Sequence, residues 1–209
     1  MKKCIVCLIV LVMVSMASAG DWGVTYQNLF DMDNQVFDGG QGAQVQYQIP
    51  VGPIGVGLSA GYMTYEVDGQ KWTEGRFIKT HYEFDGDVTD VPLGISILFD
   101  VDLNSWLRVG LDTGVKYHLL DSDITLDSRM WKLSDSQQVD IDNALTYHVA
   151  GNIEALLYKS DDCNIAGVIG GGYQWDLDSD QMSIGGRTSP LDNSLQGAFV
   201  QGGIVIRTK

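Results

Sequence analysis

Between Trp106 and Leu120 the chain alternates two kinds of side chain. Leu107, Val109, Leu111, Thr113, Val115, Tyr117 and Leu119 hold the odd positions, and Arg108, Gly110, Asp112, Gly114, Lys116 and His118 the even ones. Successive side chains on a strand point to opposite faces, so this period predicts a long strand with one apolar and one ionisable face. A half-buried strand of a soluble protein shows the same alternation. The length of the stretch, and ionisable groups gathered opposite an unbroken apolar stripe, favour a strand with lipid outside and a polar lumen inside.

The plan repeats along the chain. Period-two alternation predicts strands over 22–30, 42–49, 54–66, 88–99, 106–120, 144–158, 165–175 and 195–207. Ala43, Val45, Tyr47 and Ile49, for example, oppose Gln44, Gln46 and Gln48. Pro92 removes one ladder donor and predicts a bulge or irregular pairing in the fourth strand. Gly170-Gly171-Gly172 leaves the faces of the seventh strand unassigned. Eight strands is an even number, and the connections alternate in length. Short ones follow strands two, four and six, Pro50-Val51-Gly52-Pro53 among them. Long ones follow one, three, five and seven, and are read as loops over 31–41, 67–87, 121–143 and 176–192.

Met1 to Ala19 has the form of a cleaved signal peptide: Lys2 and Lys3, an apolar run from Cys4 to Val14, and Ala17-Ser18-Ala19 before Gly20. The apolar run is too short for a spanning helix, and no later stretch approaches that length. The expected domain organisation is residues 1–19 removed and residues 20–209 as a single barrel domain. Cys4 and Cys7 fall in the first segment, which leaves Cys163 without a partner for an intramolecular disulfide. The formal charge of −14 becomes −16 without Lys2 and Lys3, which argues against nucleic acid as a partner. The long connections carry −3, −2, −4 and −3, so most of the negative charge sits at one end. Trp22, Tyr47, Tyr62, Trp106, Tyr117, Tyr158, Tyr173 and Trp175 lie near strand ends, where interfacial girdles are expected.

From Trp22 to Arg207 the chain resembles the small eight-stranded outer-membrane barrels of the OmpA transmembrane domain and OmpX type. Gln201-Gly202-Gly203-Ile204-Val205-Ile206 is similar to the last-strand signal read by the barrel assembly machinery, although the chain ends Arg207-Thr208-Lys209 rather than on an aromatic residue. The fold class expected is all-β: a closed eight-stranded antiparallel up-and-down transmembrane β-barrel. The resemblance implies a Gram-negative cell outer membrane as location. It implies outer-membrane lipids and lipopolysaccharide as surroundings, the assembly machinery as partner during insertion, and a monomer.

The ionisable residues on the predicted inner faces are Arg108, Asp112, Lys116, His118, His148 and Glu154, on adjacent strands. They fit a hydrogen-bonded lumen core better than a relay or a catalytic set, because eight strands enclose room only for side chains or one small ligand. Leu107, Val109, Leu111, Val115 and Tyr117 are the expected lipid-facing set. Lipid A-modifying barrels of this size pair a histidine and a serine two apart on one strand, and none of His81, His118 and His148 has that neighbour. His81 in a long connection fits a solvated loop histidine better than a rim catalyst. Asp176-Leu177-Asp178-Ser179-Asp180 begins like a calcium loop, but Gln181 replaces the required glycine and Arg187 the closing glutamate. No cofactor or metal site is expected. The reading is a non-enzymatic outer-membrane barrel with a structural or interaction role. A narrow porin-like channel, a lipid A-modifying enzyme and a soluble lipocalin-like periplasmic barrel are the alternatives.

Overall fold

The computed structural model describes residues 20–32, 37, 39–51, 54–67, 71–74, 80–130, 133–178, 182–184, 187–188 and 194–208. The predicted signal segment lies outside them. The described residues form twelve strands: β1 (Asp21–Phe30), β2 (Gly39–Val51), β3 (Ile54–Val67), β4 (Lys71–Glu74), β5 (Thr80–Asp102), β6 (Leu107–Met130), β7 (Leu133–Ile141), β8 (Ala144–Lys159), β9 (Cys163–Asp176), β10 (Met182–Ile184), β11 (Arg187–Thr188) and β12 (Gly197–Thr208). Eight of them close a ring in the order β1-β2-β3-β5-β6-β8-β9-β12, with β12 returning to β1 from Asp21↔Arg207 to Phe30↔Ala198. Every pairing in the ring is antiparallel. The eight predicted staves are the eight of the ring.

The strands run further than the alternation suggested. Residues 80–87 continue β5 and residues 121–130 continue β6, paired without a shift from Thr80↔Met130 to Asp102↔Arg108. Much of the predicted loops over 67–87 and 121–143 is therefore strand, with β4 and β7 added at its flanks. Their acidic residues had disguised them. Asp121, Asp123 and Asp127 take exposed positions while Ile124 points into a core, so the alternation persists with a solvated rather than a lipid-facing outer side. Trp106 falls in the short turn instead of in β6. There the Asn104 side chain accepts the backbone N–H groups of Trp106 and Leu107 at 3.0 and 2.9 Å, and this turn chemistry ends β5 and starts β6.

Pro92 interrupts the pairing, as expected, without a bulge. The β3–β5 ladder omits only the positions opposite it and resumes in the same register, Ala60↔Leu93 and Met63↔Asp90. The bulge is at Leu157, which β8 carries as one residue more than β9 opposes. Seventh-strand faces are now assigned: Ala166, Val168 and Gln174 of β9 are buried, whereas Ile169 and Trp175 are exposed.

The polarity is inside out. Val24, Ile95 and Ile169 on the outer faces are 56%, 58% and 65% exposed, while Gln27, Thr146 and Gln174 inside are at most 1% exposed. Water would not tolerate so wide an apolar girdle, and lipid requires it. A lipocalin-like barrel, with its apolar face inside, is excluded. Tyr62, Trp106, Tyr117, Tyr158 and Trp175 are exposed as girdle residues, but Tyr47 is covered by Trp22, with ring centroids 4.7 Å apart, and by Gly20. Inside, glycine makes the narrow bore possible: a Cβ at Gly57 would come within 2.6 Å of Ser96 Oγ and 2.9 Å of Gln46 Nε2.

Cysteines placed singly in a Cys163→Ser background test this orientation. Val115→Cys on the outer face should react with a lipid-soluble maleimide in the folded barrel. Ser96→Cys inside should react only after boiling, as measured by mass shift.

Candidate functional site: the lumen

From the short-turn end upward, the lumen has three layers. The mouth is built of ion pairs. Arg207 on β12 reaches Asp21 on β1 at 3.1 Å and also Glu154 on β8, while Arg108 on β6 pairs with Asp102 at 2.6 Å and Asp100 at 3.7 Å on β5. Gln48 donates to Asp100 at 3.2 Å. Asp21, Gln48, Asp100, Asp102, Arg108 and Arg207 line a cleft of about 430 Å³. Asp102 stands beyond Val101, the last apolar residue on the outer face of β5, and the Arg108 hydrogen bond holds its carboxyl below the usual carboxylate range.

Above the mouth lies the buried core. His148 Nε2 is 3.4 Å from Asp112 Oδ1, and Gln46 donates to Asp112 Oδ2 at 3.4 Å. Lys116 donates to Gln27 at 3.4 Å and sits over the Phe199 ring at 5.6 Å. Higher still, His118 lies between Asp90 and Thr146, with Nδ1 2.7 Å from Asp90 Oδ2 and Nε2 2.9 Å from Thr146 Oγ1. Tyr65 donates its hydroxyl to the same Asp90 oxygen at 3.1 Å. Asp90, His118, Thr146 and Tyr65 are all buried, at 0–1% exposure. The bonding therefore crosses β3, β5, β6 and β8, which fixes the imidazole from both nitrogens.

The third layer is apolar. Leu29, Met63, Val88, Leu120, Ile124, Val139, Leu195 and Phe199, with Phe37 and Tyr65, pack into one cluster at the long-connection end. It lies over the Asp90–His118 pair like a stopper.

Of the six predicted lumen residues, the structure gathers Asp112, Lys116, His118 and His148 in the buried core. It places Arg108 and Glu154 in the mouth, partnered by Asp102 and Arg207. Among the predicted lipid-facing residues, Leu111, Val115 and Tyr117 are 40–46% exposed, and Leu107 and Val109 are half-buried near the turn. Sequence reasoning missed Asp90, Tyr65 and Thr146 as partners of His118. Asp90 was legible in part, as a carboxylate on the inner face of β5 two residues before Pro92. Tyr65 carried no signal, because aromatic residues near strand ends read as girdle. Ser179, Asp180 and Gln181 of the calcium-like stretch lie outside the described residues, as do the side chains of Trp72 and His81. Among the described residues no acidic or histidine cluster has the arrangement of a metal site.

Asp90, His118 and Thr146 reproduce the order of an acid–base–hydroxyl relay, but all three are sealed between the stopper and the core. Attack on a substrate needs an approach to the hydroxyl, and Thr146 is fully buried, as are Asp90 and His118. What the arrangement can do is hold three strands in register. Asp90→Ala leaves the imidazole and the Tyr65 hydroxyl without their acceptor and should cost about 3 kcal/mol. Denaturant unfolding of the folded barrel in detergent measures that loss, and Asp90→Leu with His118→Leu should cost less than Asp90→Ala alone.

No protein-family model and no curated protein sequence matches the chain. Among solved structures its shape is similar to Neisserial surface protein A, with a TM-score of 0.44 at 9% identity, covering 92% of this chain and 97% of that one. It is also similar to Ail, the attachment invasion locus protein of Yersinia pestis (TM-score 0.40, 10% identity, 91% and 99% covered). A third similarity is to the N-terminal β-barrel domain of Pseudomonas aeruginosa OprF (TM-score 0.36, 9% identity, 91% and 98% covered).

Proposed function

We propose that this chain is an integral outer-membrane barrel with a non-enzymatic role in envelope integrity, adhesion or binding through its long connections. The observation that carries the reading is the stopper: the lumen end nearest the long connections is filled by side chains, directly above a buried core of bonded charges. Among the described residues these side chains stand across the path that a solute or substrate would take, which supports a role outside the lumen. The surfaces left to act are the lipid-facing girdle and the hairpins beyond it, where β5 and β6 stay paired as far as Thr80↔Met130. Outer-membrane lipids and lipopolysaccharide are then its lasting surroundings, and the assembly machinery its partner during insertion.

Unboiled protein in detergent should migrate at a different apparent mass from boiled protein and fractionate with outer membranes. In planar bilayers it should give no discrete conductance steps, and its expression should leave the mass of lipid A unchanged. Recovery in the soluble periplasm without a heat-modifiable form would falsify the barrel. Conductance steps altered by Lys116→Ala would move the function to a channel.

A further inference from the structure

On the outer face of β1, β2 and β3, at the end nearest the long connections, Asn28, Gln41 and Thr64 stand directly opposite one another in register. They line a recess of about 320 Å³ together with Phe30 and the paired glycines Gly39 and Gly40. We propose that this recess holds a neutral sugar ring from the headgroup of a membrane glycolipid, an inference that rests on the outer-membrane reading above.

The chemistry of the lining selects the ligand. Two amides and a hydroxyl offer donors and acceptors side by side, as sugar hydroxyls require. Tyr26 donates its hydroxyl to Gln41 Oε1 at 2.7 Å, and Thr64 donates to the Gln41 backbone carbonyl at 3.4 Å. Gln41 is thus steadied, and its NH₂ is left to offer donors. Aromatic faces flank the row, Phe30 on one side and Tyr26 and Tyr62 on the other, and all three are exposed. A ring with polar edges and C–H faces matches an amide floor with Phe30 in its wall and Tyr26 and Tyr62 exposed in the next row. Among the described residues no Lys, Arg, Asp or Glu lines the recess, and the polar groups that do are neutral amides and a hydroxyl.

Position agrees with chemistry. Below this row the outer faces of β1 and β2 carry Val24, Val45 and Ile49 and reach Trp22 at the far end. The row is thus where the apolar girdle first turns polar, the depth at which acyl chains give way to headgroups. Gly39, at an outward position of β2, adds no side chain to the recess, and a Cβ there would press to 2.9 Å on the Leu29 carbonyl oxygen of β1.

The full chain in phosphatidylethanolamine nanodiscs, with or without monoglucosyl diacylglycerol, tests the proposal by native mass spectrometry. Wild type should retain the glycolipid. Asn28→Ala with Gln41→Ala should retain it roughly tenfold less, the scale of losing two hydrogen bonds. Thr113→Ala, an outer-face change elsewhere, should retain it as wild type does. In glycolipid-free discs, free methyl glucoside should bind more weakly than the lipid. Binding of the free glucoside through Asn28 and Gln41, without retention of the lipid, would keep the sugar site and overturn its lipid source. Equal retention by wild type and the double variant overturns the proposal. Heat-modifiable migration of every sample shows that the barrel is folded, so failure of the recess is distinguishable from failure of the barrel.

Discussion

The pairing of β12 with β1 is the constraint on which the rest of this molecule depends. In hydrocarbon an unpaired strand edge leaves N–H and C=O groups with no water to bond, at several kcal/mol each, so the sheet must close. Closing with eight strands sets a bore that side chains alone can fill. The narrow bore explains the inner faces: glycine at Gly57 where Ser96 and Gln46 crowd in, amides at Gln27 and Gln174, and charges only with a partner in reach. It also explains the ion pairs at the mouth. Asp21 and Arg207 are opposed across the closing seam, so their attraction acts on the one pairing that joins the first strand to the last.

The architecture was legible because a membrane barrel writes one simple rule along the whole chain. Strand period, alternating connection length and the outward apolar face of β6 could all be read from the order of residues. The loops were misread because the rule changes its outer half outside the membrane. Asp121, Asp123 and Thr125 face water where Val115 and Tyr117 face lipid, and alternation between aspartate and isoleucine looks like loop composition. Inward residues were legible one strand at a time, but their partners were not. His118 meets Asp90 and Thr146 through a register that depends on how β5, β6 and β8 are staggered. Nothing in the local sequence states that stagger.

The two halves of the molecule are stabilised by different physics. The stopper sits at the end where the long connections meet water, so gathering Leu29, Ile124, Leu195 and Phe199 there removes apolar surface from water, at about 25 cal/mol per Å². Within the membrane slab that driving force is absent, since an apolar side chain gains little by leaving lipid for protein. Stability there has to come from the backbone ladder, from packing and from polar contacts inside the bore. The polar core is therefore the slab's substitute for a hydrophobic core. Its groups cannot reach water to rebond, so a variant that removes one partner exposes the full cost of the other. A group whose bonding holds strands in register cannot release its partner to a substrate without loosening them, and chemistry that needs such freedom is left to the water-facing and headgroup-facing surfaces.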